Sequence, residues 1–454
     1  MSLEKHYSLD SVAGLLIGFM VLLIAVVIWL GSQMGIRVAA QFSIGNAVGP
    51  FGPLTLVFSE PVDETLVKEN FFIQPEVKGV FNWVDARTLH FVPSEPFAPD
   101  ITYKLVIAPG DLTSQGAFLK KSKSWKFRVR SPLVAYLVAD ANRSRLWTVE
   151  PDTGKTNPLT DEFFRIADFD TSHDGEFVVF SAFNEQHGID LWRVDRSGRN
   201  SVLLLPCGLD RCSVPAISPD GSRVAYVREA AGPSSELQFG APRIWLLNIT
   251  SKEDAPLYED QQLLGYKPVW SPDGRYLSSF DGLSDEIHLL NLDTGDQLII
   301  ASNKGNPVTW SADSSTFVYT DIEATESGPL TQIRAVDLTF NETITLFGEK
   351  DERDYYYNSL AWSPVEDLLV IGLRFEEKNP AEALWLMNPA RRDGQVIAGE
   401  PDYIYHVPVW DAWGNALVFQ QFELRGVFTP EIGLWKRGME IKVIAEGLMP
   451  HWLP

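Results

Sequence analysis

The sequence predicts an all-β protein carried on one membrane helix, and three observations predict it. First, one short phrase recurs from Phe164 to Pro454: an apolar or aromatic residue, Ser, Pro or a substitute, Asp-Gly, then a run rich in β-branched and aromatic residues. Ser218-Pro219-Asp220-Gly221 and Ser271-Pro272-Asp273-Gly274 are clean copies. Ser172-His173-Asp174-Gly175, Ser311-Ala312-Asp313-Ser314, Ser363-Pro364-Val365-Glu366 and Asp411-Ala412-Trp413-Gly414 are looser ones. Successive copies lie 40 to 53 residues apart, and a β-rich period of about 40–50 residues is that of four-stranded propeller blades. Second, the array starts and stops mid-repeat, so its ends complement each other. Third, residues 41–130 hold short alternating strands between Pro- and Gly-containing turns, the pattern of a β-sandwich.

In chain order, residues 1–10 are polar and read as a cytoplasmic tail. Ser11 to Ile36 carries no charged residue, and about 20 apolar residues suffice to cross a bilayer as a helix. A cleaved signal peptide is the competing reading, but its apolar core is normally about 7–15 residues behind a basic start; here the run is longer and the basic start is Lys5 alone. Lys5 and Arg37 nearly balance, so flanking charge does not orient the helix. The β-rich acidic body and the cysteine pair place residues 41–454 outside the cytoplasm in this reading.

Within residues 41–130, Leu54-Thr-Leu-Val-Phe58 alternates and leads into Ser59-Glu60-Pro61-Val62-Asp63; Trp83, Thr88-Leu89-His90-Phe91-Val92-Pro93, Tyr103 and Trp125-Lys126-Phe127 follow. On these residues the segment resembles the bacterial Ig-like domains of S-layer and other envelope proteins, which implies a spacer or adhesive module without catalytic residues. Glu60 and Asp63 are read as part of the turn after the strand.

Residues 131–454 are the propeller. Asp-Gly between apolar runs signals a hairpin, because Gly takes φ > 0 cheaply and Asp bonds its own turn. Strands A and B therefore flank each copy, and C and D follow. Residues 133–160 contain B, C and D without an A, and His451-Trp452-Leu453-Pro454 aligns with strand A without a B. The C-terminus is thus expected to supply strand A of the first blade, pairing two open edges and making seven blades. The repeats resemble the TolB-like repeats of bacterial periplasmic proteins, shared with the propellers of prolyl-oligopeptidase-like enzymes; the carriers are Ile217-Ser218-Pro219-Asp220-Gly221 and Trp270-Ser271-Pro272-Asp273-Gly274. The resemblance implies a protein-binding platform at the periplasm or cell surface. Seven blades rather than six, and the loss of Asp-Gly in later copies, are departures that keep TolB's partners from being carried over.

The formal net charge of −22 argues against nucleic acid as a partner, which needs basic patches. The two cysteines, Cys207 and Cys212, suit a local disulfide outside the cytosol and neither a metal quartet nor a redox motif. Long insertions at Glu229–Pro242, Asp321–Thr331, Arg374–Glu382 and Gln421–Ile432 all fall between B and C. They mark one face as the candidate binding surface, with Phe239, Tyr355, Tyr356, Tyr357, Phe375 and Phe428 as its aromatic residues. No Gly-x-Ser-x-Gly, His-Glu-x-x-His, Walker or Gly-x-Gly-x-x-Gly motif occurs, and no catalytic residue, metal ligand or cofactor is assigned. His406 and His451 fall near A strands and are the one pair that a central channel would bring together. The expected function is a membrane-anchored scaffold binding another envelope protein or polymer, in isolation or within a larger membrane complex. The alternative is a propeller-type hydrolase or lyase acting on a polymer at the channel.

Overall fold

The computed structural model describes residues 14, 16–24, 26, 35–41, 47–99, 101–113, 118–140, 143–233, 239–260, 262–305, 307–326, 328–349, 355–375, 379–425 and 429–454. The chain divides into two compact units, Met1–Val129 and Arg130–Pro454. Half of the expected membrane span at 11–36 lies outside the described residues. Within it, residues 14, 16–24 and 26 are helical, with exposed side chains; among the described residues no helix is long and apolar enough to cross a membrane.

Unit 1 contains two four-stranded sheets. One runs in the order Val38–Gln41, Leu54–Phe58, Thr88–Pro93, Gly79–Asp85; the other runs Ala47–Val48, Lys123–Val129, Thr102–Ile107, Phe71–Gln74. Strand alternation builds the core: Leu54, Leu56 and Phe58 point inward from one strand, Tyr103, Leu105 and Ile107 from another. Phe97, Tyr103 and Phe127 pack ring to ring. After Phe58 the chain does more than turn. Asp63 caps a six-residue helix, Glu64–Glu69, accepting the N–H groups of Thr65 (3.0 Å) and Leu66 (3.3 Å), the usual work of an Asp at that position.

Unit 2 is a succession of antiparallel four-stranded sheets, numbered here in chain order with strands A to D. Strand A is Leu448–Leu453 in sheet 1, then Ile166–Thr171, Arg211–Ile217, Tyr266–Trp270, Val308–Trp310, Tyr355–Trp362 and Tyr403–Trp410 in sheets 2 to 7. Sheets 2 and 3 are also joined by a parallel contact, Ile189 opposite Arg211. The recurring phrase forms the A–B turns. The hydroxyls of Ser218, Ser271 and Ser311 donate to Asp220, Asp273 and Asp313 at 2.6–2.7 Å. Each Asp in turn accepts a backbone N–H two residues on. Gly221 and Gly274 occupy the left-handed region, and Ser314 takes the same position at φ 61°. That non-glycine is retained where its hydroxyl accepts the N–H of Asp273 from the preceding sheet (3.1 Å).

In sheets 1, 4 and 7 the tryptophan near the end of strand A is an inter-sheet tie. The indole N–H of Trp270 donates to Ala216 O (2.9 Å), that of Trp410 to Ala361 O (3.1 Å) and that of Trp452 to Val409 O (3.0 Å). In each case the acceptor belongs to strand A of the sheet before. The last strand of the chain also pairs antiparallel with Leu133–Ala139, Leu453 opposite Leu133 and Trp452 opposite Val134. Thr171 donates to Trp452 O (2.7 Å), and Arg196 donates to Leu453 O and Pro454 O (2.7 Å each) and to Ser131 O (2.6 Å). Arg130 adds a bond to Pro454 O (3.3 Å) and an ion pair with Glu176 (2.9 Å). Gly175, at φ +67°, lies so close beneath that a Cβ would stand 1.8 Å from Pro454 O.

These contacts predict that unit 2 unfolds as one body with its last strand. Trp452 is 6% exposed, so Trp452→Ala should cost about 3–5 kcal/mol, as large-to-small core changes do. Gly175→Ala should lower the melting temperature as well. Calorimetry of the full chain checks both; a Trp452→Ala protein that melts like the parent refutes the tie.

Candidate functional site

Two places concentrate the features of a site: the B–C hairpins and the polar groups borne by the A strands.

Of the four insertions between B and C, those of sheets 5 and 6 are largely strand rather than loop. In sheet 5, B (Thr316–Thr325) and C (Gly328–Asp337) pair without a break from Thr316 opposite Asp337 to Thr325 opposite Gly328. In sheet 6, C begins at Asn379, opposite Phe375, with a bulge between Leu373 and Phe375. The acidic run with Gly328-Pro329 suggests a loop, yet Ile322 and Ala324 keep the hairpin's period of two.

Tyr355 pairs with Phe375 across strands A and B of sheet 6, ring centroids 4.6 Å apart in a T-shape. Phe375 also meets Trp385 at 6.1 Å. Tyr356 lies opposite Arg374, whose guanidinium sits 4.7 Å over its ring, a geometry that gives both side chains a fixed polar and apolar surface. Tyr357 is different from the expectation: it is 2% exposed and belongs to the core between sheets 5 and 6, because alternation turns it inward. Phe239 is half-buried under the guanidinium of Arg211, 3.7 Å from ring to cation, beside sheet 3. Phe428 lies outside the described residues.

The neighbouring crossing from sheet 2 to sheet 3 is stapled. Cys207 and Cys212 form a disulfide with Cα atoms 6.3 Å apart. Asp190 accepts the N–H of Cys207 (2.7 Å) and the amide of Asn184 (2.9 Å), while Asp210 holds Arg228 (2.8 Å).

Strand A carries the second feature, which sequence reasoning missed. Its pairing with B is interrupted by a bulge in sheets 1, 2, 3, 4, 6 and 7. In four of them the bulge holds a non-glycine residue at positive φ followed by Pro: Met449-Pro450, Val214-Pro215, Lys267-Pro268 and Val407-Pro408. Pro has no N–H for the ladder and so suits a bulge. A β-branched Val in the left-handed region is a strained outlier. The legible signal was the Pro three residues before the Ser of the phrase, or its substitute.

The bulges deliver polar groups. Glu382, at the start of strand C in sheet 6 and 4% exposed, accepts from Ser359 (3.0 Å) and Asn358 (3.0 Å), and pairs with His406 of sheet 7 (3.3 Å). Lys304 reaches in from the crossing out of sheet 4, donating to Tyr357 O (2.7 Å) and Asn358 (3.1 Å). Burial holds the Lys304 amine below its ordinary range, with Glu382 opposing; the hydrogen bond to Glu382 raises His406 against the effect of its burial. His451 instead pairs with Asp170 (3.4 Å). Nearby, burial raises Asp168. The two histidines thus serve separate carboxylates, and among the described residues no cluster of three or more His, Cys, Asp or Glu is placed to hold a metal ion.

Residues 44–129 match the bacterial Ig-like domain family. The Ig-like match covers unit 1 alone. No curated protein sequence matches the chain. Among solved structures it resembles TolB from Acinetobacter baumannii, at 15% identity over 71% of this chain and 83% of that one, TM-score 0.43. It resembles a puromycin-hydrolysing peptidase of Mycobacterium tuberculosis at 14% identity, over 70% of this chain and 54% of that one, TM-score 0.51. An oligogalacturonate lyase from Vibrio parahaemolyticus is 13% identical over 69% of this chain and 85% of that one, TM-score 0.50. At these identities the likeness is one of fold: unit 2 is a β-propeller.

His406 supplies a pH prediction. Its folded pKa is raised above the ordinary 6.5, so its pairing with Glu382 contributes fully below pH 6.5 and is lost as pH rises through the raised value. His406→Gln should therefore be most destabilising in mild acid, with melting curves converging towards the parent at alkaline pH. A gap that is constant from pH 5 to 9 would contradict the assignment.

Proposed function

We propose that this chain is a membrane-anchored, extracytoplasmic binding or scaffolding protein of the bacterial envelope. In this reading a closed, seven-bladed propeller presents the B–C hairpins of sheets 5 to 7 to another envelope protein or polymer. The ring rests on the pairing of Leu448–Leu453 with Leu133–Ala139 and on contacts of that strand with strand A of both sheet 7 and sheet 2. The anchor rests on the uncharged stretch from Ser11 to Ile36, and the compartment on the Ig-like domain and the disulfide.

The observation that carries the binding role is the pairing of Tyr356 with Arg374 at the base of a lengthened hairpin, backed on the opposite face of the sheet by Tyr355 and Phe375, which pack against the core. Aromatic and Arg side chains pre-ordered against each other lose little entropy on docking and recur at interface hot spots. The test is capture from mildly solubilised native membranes with the full chain as bait. Tyr356→Ala with Arg374→Ala should reduce recovery of the partner at least about tenfold, the effect of losing hot-spot residues worth ~1.4 kcal/mol or more. Unchanged recovery with an unchanged melting curve refutes this face. In the same membranes, alkaline carbonate should leave the full chain in the pellet and release a chain lacking residues 1–36; release of both refutes the anchor.

A second reading, a hydrolase or lyase, is favoured by one observation: the His406–Glu382 pair with Ser359 and Lys304 beside it. A buried carboxylate orienting a histidine is a general-base arrangement. Turnover of an envelope polymer that His406→Gln abolishes, while leaving partner capture intact, would replace the scaffold reading.

A further inference from the structure

Strand Gly79–Asp85 ends its sheet, paired on one side with Thr88–Pro93 and, among the described residues, unpaired on the other. Natural sheets blunt such edges with short strands, Pro or inward charge. This one is seven residues long and reads Gly-Val-Phe-Asn-Trp-Val-Asp. Its solvent face is apolar at Val80 (56% exposed) and Val84 (60% exposed). Phe81 and Trp83 are half-buried on the other face.

We infer that this edge pairs, antiparallel and two-fold, with the same strand of a second copy of the chain. The sequence is self-complementary about Asn82. In that register Val80 lies opposite Val84 of the second copy, Phe81 opposite Trp83, and Asn82 opposite itself. Directly opposed aromatic and β-branched pairs are what stabilise neighbouring strands, and one patch facing itself is the requirement of a two-fold interface. At each end the exposed Lys78 comes beside the exposed Asp85 of the other copy.

The backbone fits the same register. Ser94 N–H donates to Lys78 O (2.9 Å), so Lys78 spends its polar groups inward. Antiparallel alternation then leaves those of Gly79, Phe81 and Trp83 facing out. Pairing Phe81 with Trp83 in both directions uses four of them. The bulge at Val84 bends the strand end and confines regular pairing to the centre. Charge is permissive: residues 41–129 contain nine Lys or Arg and nine Asp or Glu, so unit 1 does not share the repulsion of an acidic chain. One strand pair buries less than the roughly 1,000 Å² of a stable interface, so the dimer is weak in dilute solution and favoured where copies are concentrated.

The test is disulfide trapping in the full chain, whose Cys207 and Cys212 are already bonded to each other. Asn82→Cys puts two sulfurs across a pair whose Cα atoms are about 4.5–5.5 Å apart, within disulfide reach. Under mild oxidation it should form a covalent dimer at least about tenfold faster than Val202→Cys, an exposed position in unit 2 (49% exposed), a ratio worth ~1.4 kcal/mol. Adding Val80→Lys and Val84→Lys should return the rate to that control. Equal rates for Asn82→Cys and Val202→Cys overturn the proposal, as does trapping of Asn82→Cys to a different protein in native membranes. Melting curves of each variant confirm that the fold is retained. Neither result depends on the partner-capture experiment.

Discussion

The strand Leu448–Leu453 is the constraint on which unit 2 depends. It comes from the far end of the chain, yet it completes the sheet begun by Leu133–Ala139 and ties through Trp452 to the sheet that precedes it in sequence. A succession of small sheets, each covering only its neighbours, leaves a first and a last sheet with an uncovered face. Here the same six residues pair with Leu133–Ala139 and touch strand A of sheets 7 and 2. The arginines show how firmly the position is specified. Arg130 and Arg196 spend their donors on backbone carbonyls of Ser131, Leu453 and Pro454, which fixes the strand by its main chain and leaves its side chains to the core.

The A strands carry a second, opposing demand. Ideal strands would pair more fully with B, but the repeated bulges interrupt that pairing and hold Val214, Val407 and Met449 in conformations a non-glycine residue disfavours. The return is position: His406 is the residue before one such bulge, and Asn358 and Ser359 lie within another. Strain of this kind persists where the surrounding structure over-determines it: tryptophan ties stand at the other end of the strained strands of sheets 1, 4 and 7, and Ser-Asp turns at that of sheets 3 and 4.

Much of this was legible in the sequence. The all-β class followed from alternation, the turns from Ser-Pro-Asp-Gly, and the sandwich from its short strands. These are local signals, written within five to ten residues. What was not legible is non-local or conditional. That Tyr357 turns inward while Tyr356 stacks on Arg374 depends on which face of strand A meets sheet 5. That Glu382 serves His406 depends on two sheets meeting. The hairpin of sheet 5 was concealed because acidic residues on its exposed side look like a loop until the partner strand is known. The Xaa-Pro signal three residues before Ser218, Ser271, Asp411 and Leu453 was visible, and lacked only the knowledge that a proline there marks a bulge.

The distribution of charge separates what the two units can do. The formal −22 of the chain falls entirely outside residues 41–129, which balance. Copies of unit 2 therefore repel one another, an effect that fades beyond about 8 Å at physiological ionic strength, and that acidic surface has local exceptions. Arg374 over Tyr356 and Arg211 over Phe239 are such exceptions: cations fixed over aromatic rings in an acidic surround. Unit 1 has no such barrier to meeting itself. Self-association by the neutral unit and selective binding by the acidic one are then compatible within a single chain, because the electrostatic condition that permits the first is absent from the second.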